Sequence, residues 1–98
     1  MTQTANNYGT VLFELGVEKE TVEEMKRIFS RTGELPRVLD CPVVSGREKH
    51  RLIEQLFPKE VWNFLKEMCD HGNVSEMEDV FKAYTRCYDE ANGILKTV

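Results

Sequence analysis

Residues 75–93 read SEMEDVFKAYTRCYDEANG, and their spacing decides the fold class. Met77, Val80, Phe81, Tyr84, Cys87, Tyr88 and Ala91 recur at intervals of three and four, which sets them in one apolar stripe along a helix. Ser75 with Glu78 matches the S/T-x-x-E pattern of a capped helix start. Asn92-Gly93 matches a stop, because glycine takes the left-handed backbone angles that close a helix.

Working outward, the same punctuation recurs. Thr21 with Glu24 and Ser45 with Glu48 repeat the capping pattern, and Pro36 and Pro58 sit where a helix can begin without its missing N–H being felt. Cys41-Pro42 ends a short helix, since the residue before proline avoids helical angles. The spacing predicts six helices, over 4–17, 21–32, 35–40, 46–57, 58–70 and 75–91. Val22, Met25, Ile28 and Phe29 give the second its stripe, and Leu52, Ile53 and Leu56 the fourth. No segment before residue 94 alternates with the period of a strand. Connections are short, so the expectation is an all-α, compact six-helix bundle occupying residues 1–93. Ile94 to Val98 are apolar and β-branched, and read as a truncated passage toward a second domain, cut at its border.

Composition narrows the function classes. Ninety-eight residues suit one domain, with 41% hydrophobic and 31% charged residues. A net charge of −4 argues against general nucleic-acid affinity, which needs a surplus of Lys and Arg facing phosphates. No run approaches the roughly 18 apolar residues of a membrane span, and MTQTANN lacks the pattern of a secretory signal. Cys41, Cys69 and Cys87 form no C-x-x-C pair and fit a reducing cytosol, where thiols act as small apolar groups.

Catalytic patterns are missing. His50 and His71 lie at no metal-ligand spacing from a cysteine or from each other, so no metal or cofactor is expected. DHGN at 70–73 reads as the stop of the fifth helix, closed by Gly72 with His71 near the negative end of the dipole. GREKHR at 46–51 is a small basic cluster diluted by Glu48, and reads as a solvated helix face. These absences point to a binding module and away from an enzyme.

The first helix then stands out. At about 100° per residue its non-polar arc covers roughly 240°. Ala5, Gly9, Leu12, Phe13 and Gly16 share one side, where the glycines would admit a close neighbour; Tyr8, Val11 and Leu15 share the next. Either the helix lies at the centre of the bundle, or one stripe packs inward and the second is left for a partner. The fifth helix, with Val61, Trp62, Phe64, Leu65, Met68 and Cys69, exceeds a minimal stripe in the same way. Two such helices side by side would form a groove for an amphipathic helix from another protein.

Several stretches, in order, resemble the amino-terminal domain of the delta subunit of bacterial F-type ATP synthase, the counterpart of the oligomycin-sensitivity-conferring protein. NYGTVLFELGVE is similar to that family's first-helix signature, LDCPVVSGREK to its capped fourth-helix region, and NFLKEMCDHGNVSEMEDVFKAY to its fifth helix, glycine break and last helix. The resemblance implies a non-catalytic peripheral-stalk subunit, on the cytoplasmic face of the bacterial membrane. Its amino-terminal domain would bind the amphipathic amino-terminal helix of an alpha subunit, and its carboxy-terminal domain the b subunits of the stalk. Carried over by motif, the partner-binding residues would be Tyr8, Val11 and Leu15 on the first helix, and Asn63, Phe64 and Glu67 on the fifth, where helical spacing equally favours Val61 and Met68. Gly9 and Gly16 stand where the family usually has Ala, and Asn73 where it favours Arg. A self-associating helical adaptor is the alternative from another class, and a nucleic-acid reader acting through GREKHR a further one.

Overall fold

In the computed structural model, which describes residues 2–93, helix starts and stops account for the architecture. The described residues form six α-helices and no strand: α1 (Gln3–Glu14), α2 (Lys19–Arg31), α3 (Leu35–Asp40), α4 (Gly46–Leu56), α5 (Trp62–Asp70) and α6 (Met77–Ala91). Short 3₁₀ turns, Lys59–Val61 and Val74–Glu76, lead into α5 and α6. The all-α expectation holds. Residues 94–98, read as the passage toward a second domain, lie outside the described residues. These helices divide into two compact units, residues 2–16 with 76–93, and Val17–Ser75.

In the first unit α1 packs on α6. Thr2 caps α1, its hydroxyl accepting from the Ala5 N–H at 3.0 Å and donating to the Glu76 carboxylate. The helices come close at Gly9, where an added Cβ would stand 2.3 Å from the Ala83 Cβ and 2.8 Å from the Val80 carbonyl oxygen. Around this point Phe13 and Tyr84 set their ring centroids 6.2 Å apart, and Arg86 donates to the Asn6 side chain. Thr10 Oγ1 donates to the Asn6 carbonyl at 3.0 Å and lies 3.8 Å from Cys87 Sγ.

The end of α1 corrects the sequence reading. Gly16 was expected inside the helix, on its packing side. It instead takes φ of +73° just beyond Leu15, the C-cap, and donates its N–H to the Phe13 carbonyl at 3.2 Å. Only glycine adopts that angle at little cost, so Gly16 is a helix stop. Of the two glycines, Gly9 alone admits a neighbouring backbone.

The second unit is built from α2 to α5. Val22, Met25, Leu35, Leu39, Ile53, Val61, Leu65, Met68 and Val74 are buried in it. Phe29 stacks near Phe57 with ring centroids 5.2 Å apart, and the Trp62 indole N–H donates to the Phe57 carbonyl at 2.8 Å. Cys69 is buried and its thiol donates to the Leu39 carbonyl at 3.1 Å.

Of the three capping patterns, one acts as read. Ser45 Oγ accepts from the Glu48 N–H at 3.2 Å, and α4 starts there. α2 instead starts after Glu18, because the Thr21 N–H already donates to the Glu18 carbonyl and its hydroxyl donates to Glu60 at 3.1 Å. Ser75 caps nothing. The N–H groups of Val74 and Ser75 donate to the two carboxylate oxygens of Asp40, at 2.9 and 2.8 Å. An acid on α3 thus does the work of a cap for the turn leading into α6.

Two substitutions test these assignments in denaturant. Gly9→Ala should lower stability by about 1–2 kcal/mol, because overpacking outweighs the ~1 kcal/mol gain in helix propensity. Asp40→Ala should cost about 1–2 kcal/mol by orphaning two N–H groups, whereas Ser75→Ala should stay within about 0.5 kcal/mol of the parent.

Candidate partner-binding faces

α1 carries a single charge, Glu14, at its end. Its buried residues are Ala5, Gly9 and Leu12, so one apolar stripe is covered. By the same roughly 100° per residue, Val11 lies about 160° round the axis from Gly9, and Leu15 about 120°. Both are open to solvent, Val11 at 47% and Leu15 at 51%. Tyr8, at the margin of the stripe, is half-buried and already engaged within the fold. The expected second stripe therefore exists as an exposed aliphatic pair with an aromatic residue at its edge. The other large exposed apolar residues, Val43 and Leu56, stand singly on a loop and at the end of α4, which is ordinary for a soluble surface.

α5 is different. Val61, Phe64, Leu65, Met68 and Cys69 are all buried, and Trp62 is half-buried. The expectation of a second over-supplied helix fails here, since a wide apolar arc of α5 is already buried within the fold. Val61 and Met68, favoured by spacing as groove residues, are fully buried. Phe64, at 6% exposure, sits in the core as well. One residue further along a helix is a turn of about 100°, enough to carry Phe64 out of line with Asn63. Asn63 and Glu67 are exposed, and with Asp70 make the open side of α5 polar.

Side-chain hydrogen bonds tie α5 to α4. Lys66 donates to Glu54 at 2.6 Å and holds its ammonium 5.6 Å from the Trp62 ring centroid. That hydrogen bond and charge keep the Glu54 carboxyl below its usual value of 4.5. His50 Nε2 lies 2.8 Å from Asp70 Oδ1. The basic cluster is thereby broken up. Lys49, read as part of a solvated face, is only 9% exposed, and His50 is turned to Asp70, leaving Arg47 and Arg51 in the open.

Among the described residues no group of three or more His, Cys, Asp or Glu could hold a metal ion. Burial raises the Cys69 thiol above its usual pKa, away from a reactive thiolate. An open depression of about 590 Å³ is lined by Pro36, Arg37, Cys41 and Pro42, but its carboxylate, Asp40, is committed to Val74 and Ser75. Among the described residues no helix is long and apolar enough to cross a membrane.

Among the described residues, the exposed aliphatic pair Val11 and Leu15 is the feature suited to a partner. The comparisons with known proteins are more specific. The family model for the ATP synthase delta (OSCP) subunit matches residues 4–98. The ATP synthase subunit delta of Clostridioides difficile (strain 630) is 32% identical, over 96% of this chain and 59% of that protein. Those of Desulfitobacterium hafniense and Enterococcus hirae are each 28% identical, over 94% and 90% of this chain and 57% and 54% of theirs. No solved structure matches. The chain belongs to the ATP synthase delta (OSCP) subunit family, a family of structural and not catalytic subunits, and spans somewhat over half the length of these relatives.

The Glu54–Lys66 pair gives a pH test. A carboxyl held below its ordinary pKa supports the fold above that value and loses its contribution as pH falls through the lowered one. Acidification below about pH 4.5 should therefore destabilise Glu54→Gln less steeply than the parent, as read by thermal melts at low salt.

Proposed function

We propose that this chain is part of a non-catalytic stator subunit of a proton-translocating F-type ATP synthase, and that the outer face of α1 receives the amphipathic amino-terminal helix of an alpha subunit. Val11 and Leu15 are the aliphatic anchors and Tyr8 flanks them. Asn63 and Glu67 on α5 contribute through the family resemblance, which also assigns Phe64, although Phe64 is buried. The observation that carries this reading is the exposure of Val11 and Leu15 on a helix whose other stripe is already covered.

The physical case is one of holding. A stator subunit must resist the torque that rotation exerts on the catalytic head, so its grip needs slow dissociation. Burying one helix against well-packed aliphatic anchors can give nanomolar or tighter affinity at roughly 1,600 Å² of total interface. The complete subunit would grip the b subunits through regions beyond those matched here and work on the cytoplasmic face of the bacterial membrane.

A peptide copying the first ~20 residues of the cognate alpha subunit, about 30 Å long as a helix, should bind this chain in calorimetry. Val11→Asp or Leu15→Asp should weaken it by roughly 100-fold or more, as expected for a central anchor, with the far-UV circular dichroism unchanged. Normal binding by either folded variant would refute the assignment. A chain that self-associates through this face without any peptide would favour the adaptor reading instead.

A further inference from the structure

The face of α1 turned away from α6 changes character along its length. Gln3, Asn7, Val11 and Leu15 follow one another at intervals of four, so at roughly 100° per residue they fall in an arc of about 120° centred opposite Gly9. All four are exposed. The first two carry amides, joined by a hydrogen bond from Gln3 Nε2 to Asn7 Oδ1 at 3.0 Å, and the half-buried Thr4 lies in the same arc. The last two are the aliphatic pair, with Glu14, the one charge of α1, next to Leu15 in the chain. Hydrogen-bonding groups thus occupy the amino-terminal half of the face and methyl groups the other half, over roughly 18 Å at the rise of an α-helix.

From this grading, and resting on the docking reading above, we propose that the bound helix runs the length of the face and carries an uncharged hydrogen-bonding side chain, Gln or Asn, one to two turns from its apolar anchors. The aliphatic pair supplies contact area but little discrimination, because any amphipathic helix offers leucines. The Gln3–Asn7 bond uses one N–H and one oxygen, so the two amides keep further donors and an acceptor that water satisfies in the open. A helix that covers them with leucine strips away that water and supplies no partner, which costs more than the same contact returns. A helix that covers them with another amide replaces the water bond for bond. Gln3 and Asn7 are then specificity-determining residues, and they act by penalising the wrong partner.

Two designed helical peptides with the same central Leu/Ile anchors test this beside the alpha peptide. One carries Gln, the other Leu, at the positions one and two turns away on both sides of the anchors, so that either direction of docking is covered. The Gln peptide should bind roughly fivefold or more tighter, the effect of about one hydrogen bond kept in one case and orphaned in the other. The gap should persist at about 1 M salt, because the peptides do not differ in charge. Gln3→Leu/Asn7→Leu should reverse the preference while leaving the circular dichroism unchanged. Equal affinity of the two peptides, tighter binding of the Leu peptide, or no response to the double substitution would overturn the inference while leaving the docking reading intact, provided that the alpha peptide still binds in a Val11-dependent way. Failure of all three peptides to bind would overturn both.

Discussion

The contact that organises the site is the approach of α1 to α6 at Gly9, where there is no room for a Cβ. Two helices that meet backbone to side chain at such a point cannot rotate freely about their axes, since turning α1 would bring a residue with a side chain to the place where there is no room for a Cβ. That fixes which side of α1 faces α6. Val11 and Leu15 then have to look the other way, because the helix pitch sets them more than a quarter-turn from Gly9. Their exposure is a consequence of the glycine two to six residues earlier in the chain. A relative with Ala at this position would need a wider spacing from α6 or a smaller residue than Ala83.

This arrangement separates two tasks along one short helix. The inner stripe and the α6 contact hold α1 in place, and the outer face stays available. A stator subunit benefits from that division, because the surface that carries load is not the surface that keeps the domain folded. The polar open side of α5 fits the same division: its apolar residues are buried, and what it shows to solvent is charge and amide. Affinity would then come from the aliphatic anchors of α1.

Much of this was legible from local spacing. Interval patterns marked the helices and Gly93, and Ser45 capped α4 as its neighbours implied. The doubled stripe of α1 was also readable, since eight non-polar positions between residues 5 and 16 exceed what one buried face needs. What sequence reasoning missed shares one cause. Asp40 serves N–H groups 34 and 35 residues away, Thr21 gives its hydroxyl to Glu60, and Lys49 is covered although charged. Each depends on a tertiary neighbour that a window of a few residues cannot contain. Gly16 was misplaced differently: its spacing suited a packing stripe, and a backbone angle decided otherwise. On α5 the apolar count was right and its destination wrong, because spacing reports how wide an arc is, not how much of it the rest of the unit covers.

The most direct measurement is a methyl-resolved NMR titration of the labelled chain with the alpha amino-terminal peptide, followed by intermolecular contacts from the bound state. The account predicts that the Val11 and Leu15 methyl groups shift most and contact the peptide, while Leu12 and Val80 barely move. Peptide contacts centred on Val43 or Leu56, with Val11 and Leu15 unperturbed, would contradict it.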